Sequence, residues 1–294
     1  VRTRSRPDGR RPPLSPVSST DQVAVAIHDL GTDGGTPILL AHATGFHGMV
    51  WAPLARHLIG YHAVAPDLRG HGDTPPPVGR GQDWNGFVDD VLAVIDAWGV
   101  APLVAVGHSK GGAALLLAEQ RRPGTFRALY CYEPVVMPAE GFPARGEGGE
   151  NPLATSARKR RERFDSYEDA YANFASKPPL SSLDPEALHA YVDHGFAREP
   201  DGSVRLKCRP EIEAQTYEMA VHHDAFRHLG EVQCPVTIAT GGAGDFGPAA
   251  FGPAVASALP HGRLISFDDL GHFGPLEDPA RIAASIVDRF GAPD

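Results

Sequence analysis

The chain has 294 residues, 42% of them hydrophobic and 21% charged, a composition typical of a soluble globular protein long enough for one large core or two domains. No apolar run approaches the roughly 18 to 20 residues of a membrane-crossing helix, which argues against a membrane partner. The formal charge is −9, and since residues 1–20 hold five arginines and one aspartate, the remainder carries about −13; an acidic body repels phosphate backbones and argues against nucleic acid.

The opening stretch, VRTRSRPDGRRPPLSPVSST, has arginine, proline and serine but no apolar h-region, and reads as a disordered tail over residues 1–20. QVAVAIHDL then alternates as a half-exposed strand does, and TPILLAHA runs apolar without a break, as a doubly covered strand does. VWAPLARHL has helical spacing, and YHAVAPDLRGHGDT starts as a strand and ends in a Gly-rich loop. A helix from about Trp84 to Trp98 puts Phe87, Val91, Leu92 and Ile95 on one face. A strand over 102–106, a helix over 110–121 and the strand FRALYCYEP follow. The same rhythm returns late, with strands in CPVTIATG and HGRLISFDDL and helices in PAAFGPAVASAL and PARIAASIVDRF. Strands alternating with amphipathic helices predict an α/β fold whose mostly parallel sheet is covered on both faces, with ligands at the carboxyl ends of its strands.

Residues 136–230 break that rhythm. A Pro/Gly loop leads into the charged helical stretch ATSARKRRERFDSYEDAYANFA, a capped helix in SLDPEALHAYVDHGFA, a hairpin turn at Asp201-Gly202 and a further helix in EIEAQTYEMAVHHDAF. The division is therefore a tail over 1–20, a core over 21–135 and 231–294, and a mainly helical lid over 136–230. RKRRERF reads as a solvated helix face, with contact to an anionic substrate as the alternative. Cys131, Cys208 and Cys234 are widely spaced and form no CxxC pair, so they read as buried thiols in a reducing compartment, which favours the cytoplasm. No metal-ligand cluster is visible, and oligomeric state is not readable.

Chemistry concentrates in VGHSKGG, residues 106–112, where a lone serine sits between a buried strand and a helix. A serine hydroxyl is a poor nucleophile without a base in hydrogen-bond reach, and the base needs an acid to orient it. A sharp strand-to-helix turn exposes such a serine, and Gly107 and Gly111 leave room for the turn. GHSKGG resembles the nucleophile elbow of the α/β-hydrolase fold family, LLAHATGFHGMVW its oxyanion loop, and PDLRGHGDT a loop common after the next strand. GGAGD and LGHFGPLEDP resemble the segments that supply its acid and histidine. The resemblance spans about 22–291 apart from the lid. It implies Ser109 as nucleophile, His272 as base, and Asp245 as the preferred acid, with Glu133 in YCYEP as the alternative. It also implies the backbone N–H groups of Lys110 and Thr44 as oxyanion donors, although Ala43 replaces the usual glycine and Gly45 comes two residues later.

The Lys110 side chain, unusual at that place, reads as a solvated or salt-bridged cation, with contact to a substrate charge as the alternative. Trp51, Phe46, Phe246 and His108 are candidate pocket residues, with core packing an equal alternative for the three aromatics and a structural place the alternative for His108. His47 and His71, beside glycines, are read as structural or pocket-lining. The activity expected is hydrolysis of an ester, thioester or lactone of a small molecule through an acyl-serine, without a cofactor. A carbon–carbon bond hydrolase or cofactor-free haloperoxidase on the same fold is an alternative, and a non-catalytic small-molecule receptor is one of another class.

Overall fold

A computed structural model describes residues 14–31, 35–138, 151–220, 222–242 and 247–291. The strands in chain order are β1 (Leu14–Ser18), β2 (Ala24–Asp29), β3 (Thr36–Ala41), β4 (Tyr61–Pro66), β5 (Leu103–His108), β6 (Phe126–Tyr132), β7 (Arg163–Phe164), β8 (Phe196–Arg198), β9 (Val204–Leu206), β10 (Val236–Gly241) and β11 (Gly262–Phe267). Eight form the central sheet in the order β1-β2-β4-β3-β5-β6-β10-β11. β1, β2 and β4 pair antiparallel, and the ladder from β4 to β11 is parallel. The helices are α1 (Ala52–Ala55), α2 (Trp84–Trp98), α3 (Lys110–Arg121), α4 (Pro152–Arg158), α5 (Tyr167–Ala175), α6 (Pro185–Gly195), α7 (Pro210–Glu218), α8 (Pro248–Ala258), α9 (Gly274–Glu277) and α10 (Pro279–Phe290).

The unbroken apolar runs at the centre follow from burial on both faces. Because side chains alternate along a strand, Ile38, Leu40, Val104, Val106, Tyr130 and Tyr132 enter one core, which holds Leu54 of α1 and Ile282 and Ile286 of α10. Their neighbours Leu39, Ala41, Leu103, Ala105, Leu129 and Cys131 enter the other, beneath Phe87 and Val91 of α2, Leu115 of α3 and Val255 of α8. Strand order reverses beside β3, with β4 on one side and β5 on the other, so the crevice of the sheet opens at the carboxyl ends of β3 and β5.

The loop after β4 is anchored by buried charge. Arg69, with no exposed surface, donates through Nε and Nη2 to the Asp90 carboxylate of α2 at 3.0 and 2.7 Å. Burial works against ionised Asp67, but His28 and the backbone N–H of Asp73 outweigh it and hold its carboxyl down to about 2.

Two expectations change. Leu14–Ser18, assigned to the tail, forms an edge strand on β2, since pairing with an already formed strand supplies the backbone partners a tail would lack. The charged stretch after residue 153 is not one helix: α4 stops at Arg158, and Arg163–Phe164 joins β9, where Phe164 is buried among Phe174 and Phe196. Among the described residues, the segment between β6 and β10 thus combines four α-helices with the small antiparallel sheet β7-β9-β8. Asp201-Gly202 does turn β8 into β9, and Asp184 caps α6 by accepting from Glu186 N. This segment packs on the α1 and α10 side through Ala187, Leu188, Tyr191 and Val192 of α6.

All three cysteines are buried and unpaired. Among the described residues no helix is long and apolar enough to cross a membrane.

Candidate active site

Ser109 sits between β5 and α3 with φ 54° and ψ −114°, outside the regions that ordinary residues occupy. Such a backbone costs roughly 1–3 kcal/mol and persists only where its surroundings enforce it. Here the Ser109 N–H donates to Tyr132 O at 2.9 Å, and its carbonyl accepts from Ala113 and Val135. The flanking glycines are explained by contact. A Cβ on Gly107 would lie 2.5 Å from Gly112, and one on Gly111 would run into the carbonyl of Ala41 in β3. Gly111→Ala is expected to lift α3 from β3 and destabilise the protein by roughly 1–3 kcal/mol, read as a lower urea midpoint at unchanged slope.

The neighbouring strand delivers a carboxylate to the same edge. His108 of β5 stands opposite Tyr132 of β6, so Glu133 emerges beside Ser109. Glu133 is 2% exposed and has φ 43°, a left-handed backbone uncommon for a side chain of its size. Its Oε1 accepts from the Gly241 N–H at 2.8 Å, and its Oε2 lies 2.5 Å from His272 Nδ1. An unprotonated Nδ1 would face that carboxylate lone pair to lone pair, so Nδ1 carries the hydrogen and Nε2 is left with the lone pair. Asp245, the preferred acid by resemblance, lies outside the described residues, as does Phe246; among the described residues the carboxylate on His272 is that of Glu133.

The loop bearing His272 follows β11 and is pinned from below. His108 Nε2 donates to His272 O at 2.8 Å, and the Tyr132 hydroxyl donates to Gly271 O at 2.8 Å. Burial and the nearby His272 imidazole push the His108 pKa well down, so its ring is a neutral spacer that supports the neighbouring imidazole. His108 therefore positions His272, a role not evident from its place beside a glycine. Phe273, which the sequence did not single out, packs at 5.3 Å from both Phe46 and the His272 ring.

Lys110 opens α3, so its N–H has no carbonyl one turn back to serve, and Thr44 lies in the turn after β3. Neither N–H is taken by a carbonyl among the described residues. Gly45 adopts φ 80° at that turn, and a Cβ there would lie 2.8 Å from Glu213 Oε1. The expectation for the Lys110 side chain fails: it is 1% exposed, has no carboxylate partner among the described residues, and places Nζ 3.2 Å from His71 Nε2 and 4.6 Å from the centre of the Phe87 ring. The apolar helix face that carries it, packed on α2, leaves no route to solvent.

Phe46 and Thr44 border a cavity of about 500 Å³ between the turn after β3 and the inserted segment. Trp51 does not behave as a pocket residue; its ring is 1% exposed in the α1 and α10 core. His47 is buried against Tyr191 and His71 against Lys110, consistent with structural places.

Comparison with known proteins agrees with this architecture. Lipase LipV of Mycobacterium tuberculosis is 29% identical over 89% of this chain and 95% of its own length. A pimeloyl-[acyl-carrier protein] methyl ester esterase of Aromatoleum aromaticum is 29% identical over 85% of this chain and 96% of its own. Among solved structures, E-2-(acetamidomethylene)succinate hydrolase superposes with a TM-score of 0.79 at 20% identity, covering 96% of this chain and all of the other, a likeness of fold. Residues 38–285 match the model of the alpha/beta hydrolase family, and the chain belongs to that family.

Proposed function

We propose that the protein hydrolyses a carboxylic ester, or the related thioester or lactone, of a small molecule through an acyl-Ser109 intermediate. The observation that carries this reading is the Glu133–His272 pair at the sheet edge beside a serine held in a strained elbow. His272 Nε2 takes the Ser109 proton as Oγ attacks the substrate carbonyl. Glu133 holds the ring by its Nδ1–H and stabilises the imidazolium that forms. The N–H groups of Lys110 and Thr44 meet the developing oxyanion, where one donor is worth about 2.7 to 4 kcal/mol. Collapse breaks the ester bond, and His272 returns its proton to the leaving oxygen or sulfur. Water then repeats the sequence on the acyl-enzyme, with His272 as base, and frees acid and serine. The inserted segment, which supplies much of the cavity wall, acts as the lid. Similarity to a lipase and a methyl ester esterase over most of both chains favours ester over carbon–carbon cleavage.

The test is covalent labelling. A fluorophosphonate probe is expected to leave one adduct, on the peptide containing Ser109, and none on the Ser109→Ala protein; the labelled enzyme should no longer release p-nitrophenol from simple esters. An unlabelled Ser109 would favour a binding protein that keeps the fold.

A further inference from the structure

The cavity beside the turn after β3 has an uneven distribution of charge. Its body is apolar, with Phe46 and Phe273 on the core side and Phe174, Leu180, Tyr191 and Tyr217 from the insertion. Among the described residues, its charged lining is Lys159, Arg160, Arg161 and Lys177 against the carboxylate of Glu213. Four cations to one acid is the reverse of the chain as a whole, which carries −9.

The four cations are not equivalent. Arg160 is committed: its guanidinium binds Glu213 Oε2 and the Tyr191 hydroxyl, both at 2.5 Å, and this pairing neutralises the only acid of the lining among the described residues. Arg161 is shared with Asp169 at 3.1 Å and stacks 4.2 Å over Phe164. Lys177 donates to the neutral amide of Asn173 at 2.7 Å, and the Lys159 ammonium has no hydrogen-bond or ion-pair partner among the described residues. Two exposed ammonium groups without a counter-carboxylate among the described residues therefore line the same apolar cavity as Thr44 and Gly45 of the candidate oxyanion turn. Like charges gathered this way repel each other unless an anion arrives between them, and an anion there gains charge-assisted hydrogen bonds beside a low-dielectric wall.

We propose that the substrate is a half-ester, an apolar chain with the scissile ester at one end and a free carboxylate at the other, and that Lys159 and Lys177 bind that carboxylate. This rests on the esterase reading of Ser109. The apolar lining covers the chain, the two lysines hold the acid, and the length of the cavity sets the distance between acid and ester. The segment RKRRERF thus contributes to selectivity through Lys159, while Arg160 braces the wall.

The experiment compares the mono-p-nitrophenyl ester of adipic acid with the same ester whose far carboxyl is capped as a methyl ester. The acid is expected to be preferred by about tenfold or more in kcat/KM, the range a charge-assisted hydrogen bond supplies. The preference should shrink as salt rises from about 0.05 to about 0.5 M, and the ratio should approach one in the Lys159→Gln, Lys177→Gln double variant. Equal use of the two esters, or a preference that survives both salt and the double variant, overturns the proposal. If neither ester is cleaved, the esterase reading fails separately, and the carboxylate site is decided by binding: calorimetry on the Ser109→Ala protein should detect monomethyl adipate at least tenfold more tightly than dimethyl adipate. The reverse order or equal affinity rejects it.

Discussion

Glu133→Gln is expected to lower kcat on a p-nitrophenyl ester by about 10³–10⁴-fold with little change in KM, by analogy with the loss seen when a triad acid becomes an amide. The size of the effect follows from the hydrogen bonds on either side of the carboxylate. Gly241 donates its N–H to Oε1, so a glutamine must place its carbonyl oxygen there to avoid facing donor to donor. Its NH₂ group then occupies the Oε2 position, 2.5 Å from His272 Nδ1. An amide donor at that point forces Nδ1 to accept and leaves the hydrogen on Nε2, the atom that takes the proton of Ser109 in the proposed mechanism. The ring would stay in place, held by the His108 and Tyr132 contacts to its loop, but in the wrong tautomer. Asp245→Asn is expected to change kcat by less than about threefold. The opposite pattern, with Asp245→Asn crippling and Glu133→Gln mild, would remove Glu133 from the mechanism. Unchanged urea midpoints, or their measured shifts, separate this loss from unfolding.

The choice between these two acids marks where sequence pattern stops being informative. Both Asp245 and Glu133 follow strands that end at the same edge, β10 and β6, and sequence spacing says nothing about which carboxylate turns toward the histidine. What favours Glu133 is its 2.5 Å contact with His272, set up by a left-handed backbone and a bond to Gly241, a partner 108 residues away. By contrast the strand-to-helix elbow at Ser109 and the core strands were legible because strict burial leaves few alternatives. β3, β5 and β10 are apolar on both faces, and only glycine fits at 107 and 111. Local patterns misled where tertiary pairing overrode them, as for Leu14–Ser18 against β2 and Arg163–Phe164 against β9. Trp51 lies close in sequence to the candidate oxyanion turn, yet the short turn before α1 rotates its ring into the core.

Lys110 was misjudged for the same reason, and its burial predicts a gain in stability on removal of the charge. Lys110→Met is expected to stabilise the protein by roughly 3–5 kcal/mol at pH 6, a gain that fades toward zero as pH approaches 10. Burial disfavours the ammonium and pulls its pKa from 10.5 to about 7; attraction from Cys208, Asp90, Asp67 and Glu213 offsets only part of that. Between pH 7 and 10.5 the unfolded chain holds a proton that the folded chain has lost, so unfolding free energy rises with pH across this window. Below pH 7 both states are charged at this position and the full cost of the buried ammonium is present; above 10.5 both are neutral and it has gone. Methionine has similar volume, packs on Phe87 and carries no charge to desolvate. It forfeits the contact with His71, whose Nδ1–H is already donated to Arg69 O at 2.9 Å and whose Nε2 can then accept from Nζ. The oxyanion donor proposed at this position is a backbone N–H, which the substitution keeps, so the proposed esterase activity should persist while the urea midpoint rises at pH 6 and converges with the parent near pH 10. A difference that stays constant with pH would show that the charge of Lys110 is already relieved in the folded protein.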